Sequence, residues 1–199
     1  MKIVLATRNR GKLTEITRLL DQMEVELVTI DEVAPDAELL EDEDTFEANS
    51  LAKARQAAAA TGLPAIADDS GLEVDALGGA PGVHSARYAG LPSHDARNNA
   101  KLLEALRDTP VDKRGARFRC AASFVDRARG IEIVTHGVCE GQILRAPRGT
   151  GGFGYDPLFL VPALGKTMAE VETAEKNQLS HRAAAFRALA AALRAGKSV

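Results

Sequence analysis

Two adjacent carboxylates, Asp68 and Asp69, carry the strongest chemical signal in this chain. They follow the apolar run Ala65-Ile66-Ala67 and precede Ser70 and Gly71. Carboxylates at the end of a strand sit at an open sheet edge, where α/β proteins build their ligand sites. Side by side they repel, and a divalent cation or a strong cationic partner offsets that repulsion. Taken alone, the string also reads as a polar turn between strands. Cationic and glycine-rich segments elsewhere in the chain favour the chemical reading.

Thr7-Arg8-Asn9-Arg10-Gly11-Lys12 joins an apolar run to a helical pattern. Backbone N–H groups at a helix start, with Lys12 beside them and Gly11 permitting close approach, suit a phosphate. The segment is not a Walker A loop, which needs Gly where Ala6 stands and Ser or Thr where Leu13 stands. Many strand-to-helix turns also contain Gly and Lys. Thr45, Asn49 and Lys53 recur every four residues and share one helical stripe, although a solvated face has the same pattern. That helix leads, after one short turn, into the strand carrying Asp68 and Asp69, and packing the two together brings Lys53 to the carboxylates. Glu41 lies in the acidic run before the helix. It is either solvated charge or a carboxylate that reaches a metal held by Asp69.

The segment from Gly149 to Pro157 contains Gly149, Gly151, Gly152 and Gly154. So many glycines carry an entropic cost that makes sense when a backbone must approach a ligand closely. Phe153 and Tyr155 in the same loop can stack on a planar ring; the alternative is a mobile surface loop with its aromatics folded into the core. Lys176 and Ser180-His181-Arg182 come before or at the start of the last helix, with Ser180 a suitable N-cap. Cations in a first helical turn oppose the helix dipole, which fits residues that serve a ligand. His84, His94 and His136 carry no functional reading.

These residues need elements to position them. Lys2 to Thr7 reads as a buried strand, Gly11 to Met23 as a helix with Leu13, Ile16, Leu19 and Leu20 on one face, and Val25 to Ile30 as a second strand. The opening is therefore a βαβ unit. An acidic connector follows from Asp31 to Asp44, then a capping box at Asp44 and Glu47 before an Ala-rich helix ending near Gly62. Pro64 to Ala67 and Leu72 to Ala76 read as separate strands, and Gly78 to Gly90 as a loop. Asp95 to Arg107 is amphipathic. Ala116 to Val125 and Ile131 to Glu140 read as an antiparallel hairpin, so the sheet is mixed. Thr167 and Glu170 suggest a second capping box, and His181 to Ala195 a final helix burying Phe186, Leu189 and Leu193.

Length and composition bound the class. At 199 residues the chain fits one domain, residues 1–199, with room for two lobes. Its 45% hydrophobic and 27% charged residues are those of a globular protein. A net charge of -3 with 4% aromatic residues excludes a nucleic-acid-coating surface. Cys120 and Cys139 lack CxxC spacing, so structural zinc is not expected, and two isolated thiols suit a reducing compartment. The N-terminal apolar run is too short for a signal-peptide core, and Arg187 and Arg194 interrupt the Ala-rich tail, so neither a leader nor a membrane span is expected. The expected location is the cytoplasm.

The motifs together resemble the inosine triphosphate pyrophosphatase family, which hydrolyses non-standard purine nucleoside triphosphates. The resemblance rests on Thr7-x-Asn9-x-Gly11-Lys12, Thr45-Phe46-x-x-Asn49-x-x-x-Lys53-Ala54 and Ala67-Asp68-Asp69-Ser70-Gly71-Leu72. It continues through Gly78-Gly79-x-Pro81-Gly82-Val83-x-Ser85-Ala86-Arg87-Tyr88, Gly152-Phe153-Gly154-Tyr155-Asp156-Pro157 and Glu175-Lys176-Asn177 to Ser180-His181-Arg182. It implies a two-lobed α/β fold with a mixed, curved central sheet flanked by helices, a substrate cleft between the lobes, and a homodimer. It implies Mg²⁺-dependent hydrolysis of ITP, dITP or XTP to the monophosphate and pyrophosphate. By position, Thr7, Arg8, Asn9, Arg10, Gly11 and Lys12 hold the triphosphate with Lys53, and Asp69 is the general base. Glu41, Asp69 and Asp68 form the metal set. Ser70, Phe153, Gly154, Tyr155, Asp156, Lys176, His181 and Arg182 surround the nucleoside.

In one place the chain departs from the family. Relatives commonly have Glu-Thr-Gly before the Thr-Phe motif, whereas this chain reads Glu41-Asp42-Glu43-Asp44, which leaves the turn placing Glu41 open. Base selection should rest on the 6-oxo acceptor of inosine and xanthosine, met by donors from His181, Arg182 or backbone N–H groups. Adenine's amino group would leave those donors unpaired, at roughly 1–3 kcal/mol per group. Two rival readings stand beside this one: a pyrophosphatase for pyrimidine or methylated nucleotides, as in the Maf-type family, and a nucleotide sensor without turnover. A structural or interaction module comes third.

Overall fold

The computed structural model describes residues 1–21 and 25–195. The chain opens with strand β1 (Lys2–Leu5), helix α1 (Arg10–Leu20), strand β2 (Glu26–Thr29) and a one-turn helix α2 (Ile30–Val33). Helix α3 (Phe46–Thr61), strand β3 (Ala65–Val74) and helix α4 (Asp95–Ala105) follow. Strands β4 (Gly115–Asp126), β5 (Ile131–Ile143), β6 (Phe159–Val161) and β7 (Lys166–Thr167) come next, then helices α5 (Thr173–Leu179) and α6 (His181–Ala195). Among the described residues, seven strands form one sheet in the order β2-β1-β3-β4-β5-β6-β7.

The expected βαβ opening is present, with β1 parallel to both β2 and β3. The sheet is mixed, because β5, β6 and β7 pair antiparallel. β4 and β5 are sheet neighbours joined by only four residues, too few for a parallel return. The first strands are buried on both faces, and side-chain alternation divides them cleanly. Ile3, Leu5 and Ile66 pack with Ile16 and Leu20 of α1 and Phe186 and Leu189 of α6. Val4, Ala6, Ala65 and Ala67 pack with Ala54, Ala57 and Ala58 of α3. Small alanines on α3 let that helix lie close to the strands. The helix stops at Gly62, whose φ of 69° is the left-handed conformation suited to a C-terminal cap.

The chain divides into two compact units: Met1–Asp69 with Cys120–Gly137 and His181–Val199, and Ser70–Arg119 with Val138–Ser180. The first holds the two cores just described. The second has its own, built from Leu72, Val74, Leu102, Leu106, Phe118, Tyr155, Leu158 and Phe159. Among the described residues, no helix is long and apolar enough to cross a membrane.

Several expectations shift. The two strands read on either side of Asp68-Asp69 are one continuous ten-residue strand, β3, because its residues alternate between two apolar layers without a break. The carboxylates therefore lie within a strand and not at its end. The N-cap of α3 is Thr45, not Asp44, since the Thr45 hydroxyl accepts from Ala48 N–H. Thr167 and Glu170 do form a local motif, with the Glu170 carboxylate accepting from Thr167 N–H at 2.8 Å, but it closes a turn; α5 begins later, at Thr173. Helix α1 is described to Leu20, and the expected extension through Met23 runs outside the described residues.

Candidate active site

Alternation along β3 explains the first unit's charged cluster. The last registered pairs with β1 are Val4 with Ala65 and Leu5 with Ile66, so Asp68 and Asp69 lie just past the carboxyl end of that parallel partner. Asp68 is in phase with Ile66 and faces the α1 and α6 side. Its Oδ2 takes Lys12 Nζ from α1 at 3.1 Å and Arg182 Nε from α6 at 3.2 Å. Asp69 is in phase with Ala65 and Ala67 and faces α3. Lys53 Nζ, from that helix, lies 3.9 Å from Asp69 Oδ1, pairs with Glu41 and donates to the Asp68 carbonyl at 2.6 Å. One strand thus presents a carboxylate to each side, and three helices answer with one cation each.

Four of these groups are deeply buried: Asp68 is 0% exposed, Arg182 2%, Lys53 4% and Asp69 6%. Burial makes the environment of each carboxylate decisive. It would raise Asp68, but Lys12, Arg182 and Lys53 overcome it and hold that carboxyl well below the usual range. For Asp69 burial prevails over Lys53 and Lys12, and the anions Glu41 and Asp68 add to it, so its carboxyl is pushed up to about 6. Burial would lower Lys53, but Asp68, Glu41 and Asp69 raise it, so the amine stays charged. The two neighbouring carboxyls thus carry opposite shifts: Asp68 stays an anion, while Asp69 exchanges its proton near neutral pH.

The turn left open at Glu41 is held without the family's glycine. Asn49 clamps Glu43 through both backbone groups, accepting from its N–H and donating to its C=O, each at 3.0 Å. Gln56 accepts from Leu40 N–H at 2.8 Å. Helix α3 therefore secures the chain on both sides of Glu41, which reaches Lys53. The Asn49 stripe position was visible in the sequence, but its role as a clamp was not.

The phosphate-type turn divides its labour. Asn9 caps α1, its Oδ1 accepting from Lys12 N–H at 3.1 Å, and Thr7 Oγ1 accepts from Asn9 N–H at 3.2 Å. Arg10 and Gly11 lie in the first turn of α1, with Arg10 exposed. Arg8 is committed to the acidic connector, donating to Asp31 Oδ1 and Pro35 O at 2.7 Å and to Ala37 O at 3.0 Å. Arg182, expected beside the nucleoside, pairs through its guanidinium with Asp68 and Glu15. Glu15 was missed, although its position three residues after Lys12 places both on one face of α1. His181 is buried at the start of α6. Gly137 makes that placement possible, since a Cβ there would lie 2.0 Å from the His181 carbonyl oxygen.

The second unit gathers Phe153, Asp156 and Lys176. Asp156 Oδ2 accepts from Phe153 N–H at 3.0 Å and from Lys176 Nζ at 2.8 Å. Lys176 Nζ also lies 5.1 Å from the centre of the Phe153 ring, within cation–π range. Gly152, at φ 73°, makes room for this arrangement, because a Cβ there would lie 2.0 Å from Asp156 Oδ2. Gly149 and Gly151 instead lie against the Ala169 backbone. Tyr155 is a core residue, its hydroxyl donating to Ser85 O at 2.8 Å. Ser70 is the first residue of this unit, within β3.

The donor set suits Mg²⁺ at Asp69 and Glu41. Both offer hard oxygens to the same Lys53 ammonium, and Mg²⁺ takes one or two carboxylates together with substrate phosphates. Among the described residues no three His, Cys, Asp or Glu side chains gather as a ready metal cage. Of the three carboxylates expected there, Asp68 is turned by strand alternation to the other side of β3, onto Lys12 and Arg182.

The model of the Ham1 family matches residues 3–192. The chain is 50% identical to a dITP/XTP pyrophosphatase of Shigella flexneri over 196 residues, covering 98% of this chain and 99% of that one. It is 52% identical to a dITP/XTP pyrophosphatase of Frankia alni, covering 98% of each. Among solved structures, a HAM1 protein from Coxiella burnetii superposes with a TM-score of 0.89 at 44% identity, covering 98% of each chain. A nucleoside-triphosphatase / dITP/XTP pyrophosphatase from Mycobacterium abscessus gives 0.77 at 47% identity, covering 97% of this chain and 99% of that one. With matches of this extent in sequence and structure, the chain belongs to the Ham1 family.

Proposed function

We propose that this protein hydrolyses non-standard purine nucleoside triphosphates, ITP, dITP and XTP, to the nucleoside monophosphate and pyrophosphate. The observation that carries the reading is the split pair on β3, a cation-paired Asp68 beside an Asp69 whose carboxyl sits at about 6. Water is a poor nucleophile towards a polyanion, and a carboxylate with such a pKa can orient it and accept its proton at neutral pH. Lys53 and Lys12 supply positive charge for the phosphates. Asp68 keeps Lys12 and Arg182 in place, and the N-terminal turn of α1 offers N–H groups to a phosphate oxygen.

Asp69 and Glu41 would hold Mg²⁺, which supplies charge screening of the phosphates when bound. Recognition of the nucleoside is assigned to Phe153, Asp156 and Lys176, with the Phe153 ring offering a stacking surface and Lys176 a donor. The proposal extends to a homodimer, from the family resemblance, and to the cytoplasm, where the two free thiols Cys120 and Cys139 are stable.

A panel of nucleoside triphosphates with Mg²⁺, assayed separately for pyrophosphate and orthophosphate, tests the proposal. Pyrophosphate from dITP, ITP and XTP, with little from ATP or GTP, is the expected result. Predominant orthophosphate release would overturn it.

A further inference from the structure

We propose that Asp95 and Asn99 of α4 are positioning residues that hold the Phe153–Tyr155 loop in its nucleoside-binding geometry, an assignment that rests on the role given to that loop above. The two side chains lie one helical turn apart and share a face. Asp95 Oδ2 accepts from Gly154 N–H at 2.7 Å, and Asn99 Nδ2 donates to Gly154 O at 2.8 Å. Both backbone polar groups of the residue between Phe153 and Tyr155 are thus taken by one helix. A Cβ at Gly154 would meet nothing within 4 Å, so the residue's φ of 60°, and not lack of space, calls for glycine there.

The neighbouring Asn98 repeats the device on another segment. It accepts from Ala89 N–H at 2.8 Å and donates to Ala86 O at 3.0 Å. The Tyr155 hydroxyl then bonds Ser85 O, and Ser85 Oγ accepts from Leu72 N–H at 2.8 Å. The Gly78–Tyr88 motif has no part in the proposed chemistry, and these bonds give it a structural role. It buttresses Tyr155 while α4 holds Gly154. A loop tethered at its backbone keeps the Phe153 ring and the Phe153 N–H to Asp156 bond in register without a further side chain touching the nucleoside. Preorganisation of this kind lowers the ordering cost of binding and leaves the bond-breaking step alone.

The test is steady-state hydrolysis of dITP with Mg²⁺ by the full chain, with IMP and tripolyphosphate as separate inhibitors. Asn99→Leu removes the donor at similar size, and Asp95→Asn retains an acceptor for Gly154 N–H. Asn99→Leu is expected to raise KM for dITP and the IMP inhibition constant about tenfold each, the loss of one partly buried hydrogen bond. Its kcat and its tripolyphosphate inhibition should stay within about twofold, and Asp95→Asn should match the unsubstituted protein. If Asn99→Leu does not fold, Asn99→Ser, too short to reach the Gly154 carbonyl, is measured in the same way. Unshifted KM and IMP inhibition in a folded variant would overturn the positioning role, as would equal weakening of tripolyphosphate and IMP. Failure of the unsubstituted protein to release pyrophosphate from dITP would instead remove the functional reading on which the role depends.

Discussion

The two charged clusters of this molecule are built in opposite ways. In the first unit a single strand presents Asp68 and Asp69 to opposite layers, and Lys12, Lys53 and Arg182 arrive from three helices to meet them. In the second, Asp156 holds a loop by its backbone N–H and a lysine by its ammonium, while α4 grips the next residue along. Regular secondary structure fixes the groups that must bear charge in a low-dielectric setting, where small displacements change pKa values strongly. A backbone-tethered loop fixes the groups that need only present a surface. The first cluster should therefore govern turnover and the second affinity.

The largest expected effect follows from this division. Asp69→Asn should lower kcat by about 10³-fold, within the range for losing a general base, and leave dITP binding measurable by calorimetry. Unchanged turnover would remove Asp69 from the chemistry. Asp156→Ala should do the reverse. By unseating both the Phe153 N–H and Lys176, it should raise KM about 10- to 100-fold, as expected for a charge-assisted bond, with a much smaller change in kcat. A kcat loss as large as that of Asp69→Asn would erase the distinction between the clusters.

Two pH effects sharpen it. With Asp69 at about 6 in the free protein, kcat/KM should fall about tenfold per pH unit below that value, and a flat profile down to pH 4 would exclude Asp69 as the titrating base. Stability should move the other way. A carboxyl raised above its ordinary value favours the fold while protonated, so its contribution is lost as pH rises from about 4 through about 6. Asp69→Asn should accordingly be more stable than the unsubstituted protein at pH 8 without metal, by about 3 kcal/mol, and about equal to it at pH 4. Chemical denaturation at the two pH values checks this.

Much of the first cluster was legible in the sequence because its signals are periodic. Asp68-Asp69, the Lys53 stripe and the βαβ opening each follow from spacing. The continuity of β3 was not, since an Asp-Asp-Ser-Gly string looks like a turn until both neighbouring layers are known to be apolar. The opposite facing of Asp68 and Asp69 follows from that same continuity. Glu15, Asn49 and the α4 residues Asp95 and Asn99 were harder still. Their partners are distant residues or backbone atoms, which leave no pattern beyond a polar pair at helical spacing. In the 149–154 loop, Gly152 makes room for Asp156 and Gly154 adopts a left-handed φ, two roles that composition alone could not tell apart.

Hydrolysis of dITP in water labelled with ¹⁸O tests most directly the claim that solvent, oriented by Asp69, attacks the α-phosphorus. Mass spectrometry of the products should find the label in the nucleoside monophosphate and none in pyrophosphate. Label in the pyrophosphate would place the attack on the β-phosphorus and contradict the account.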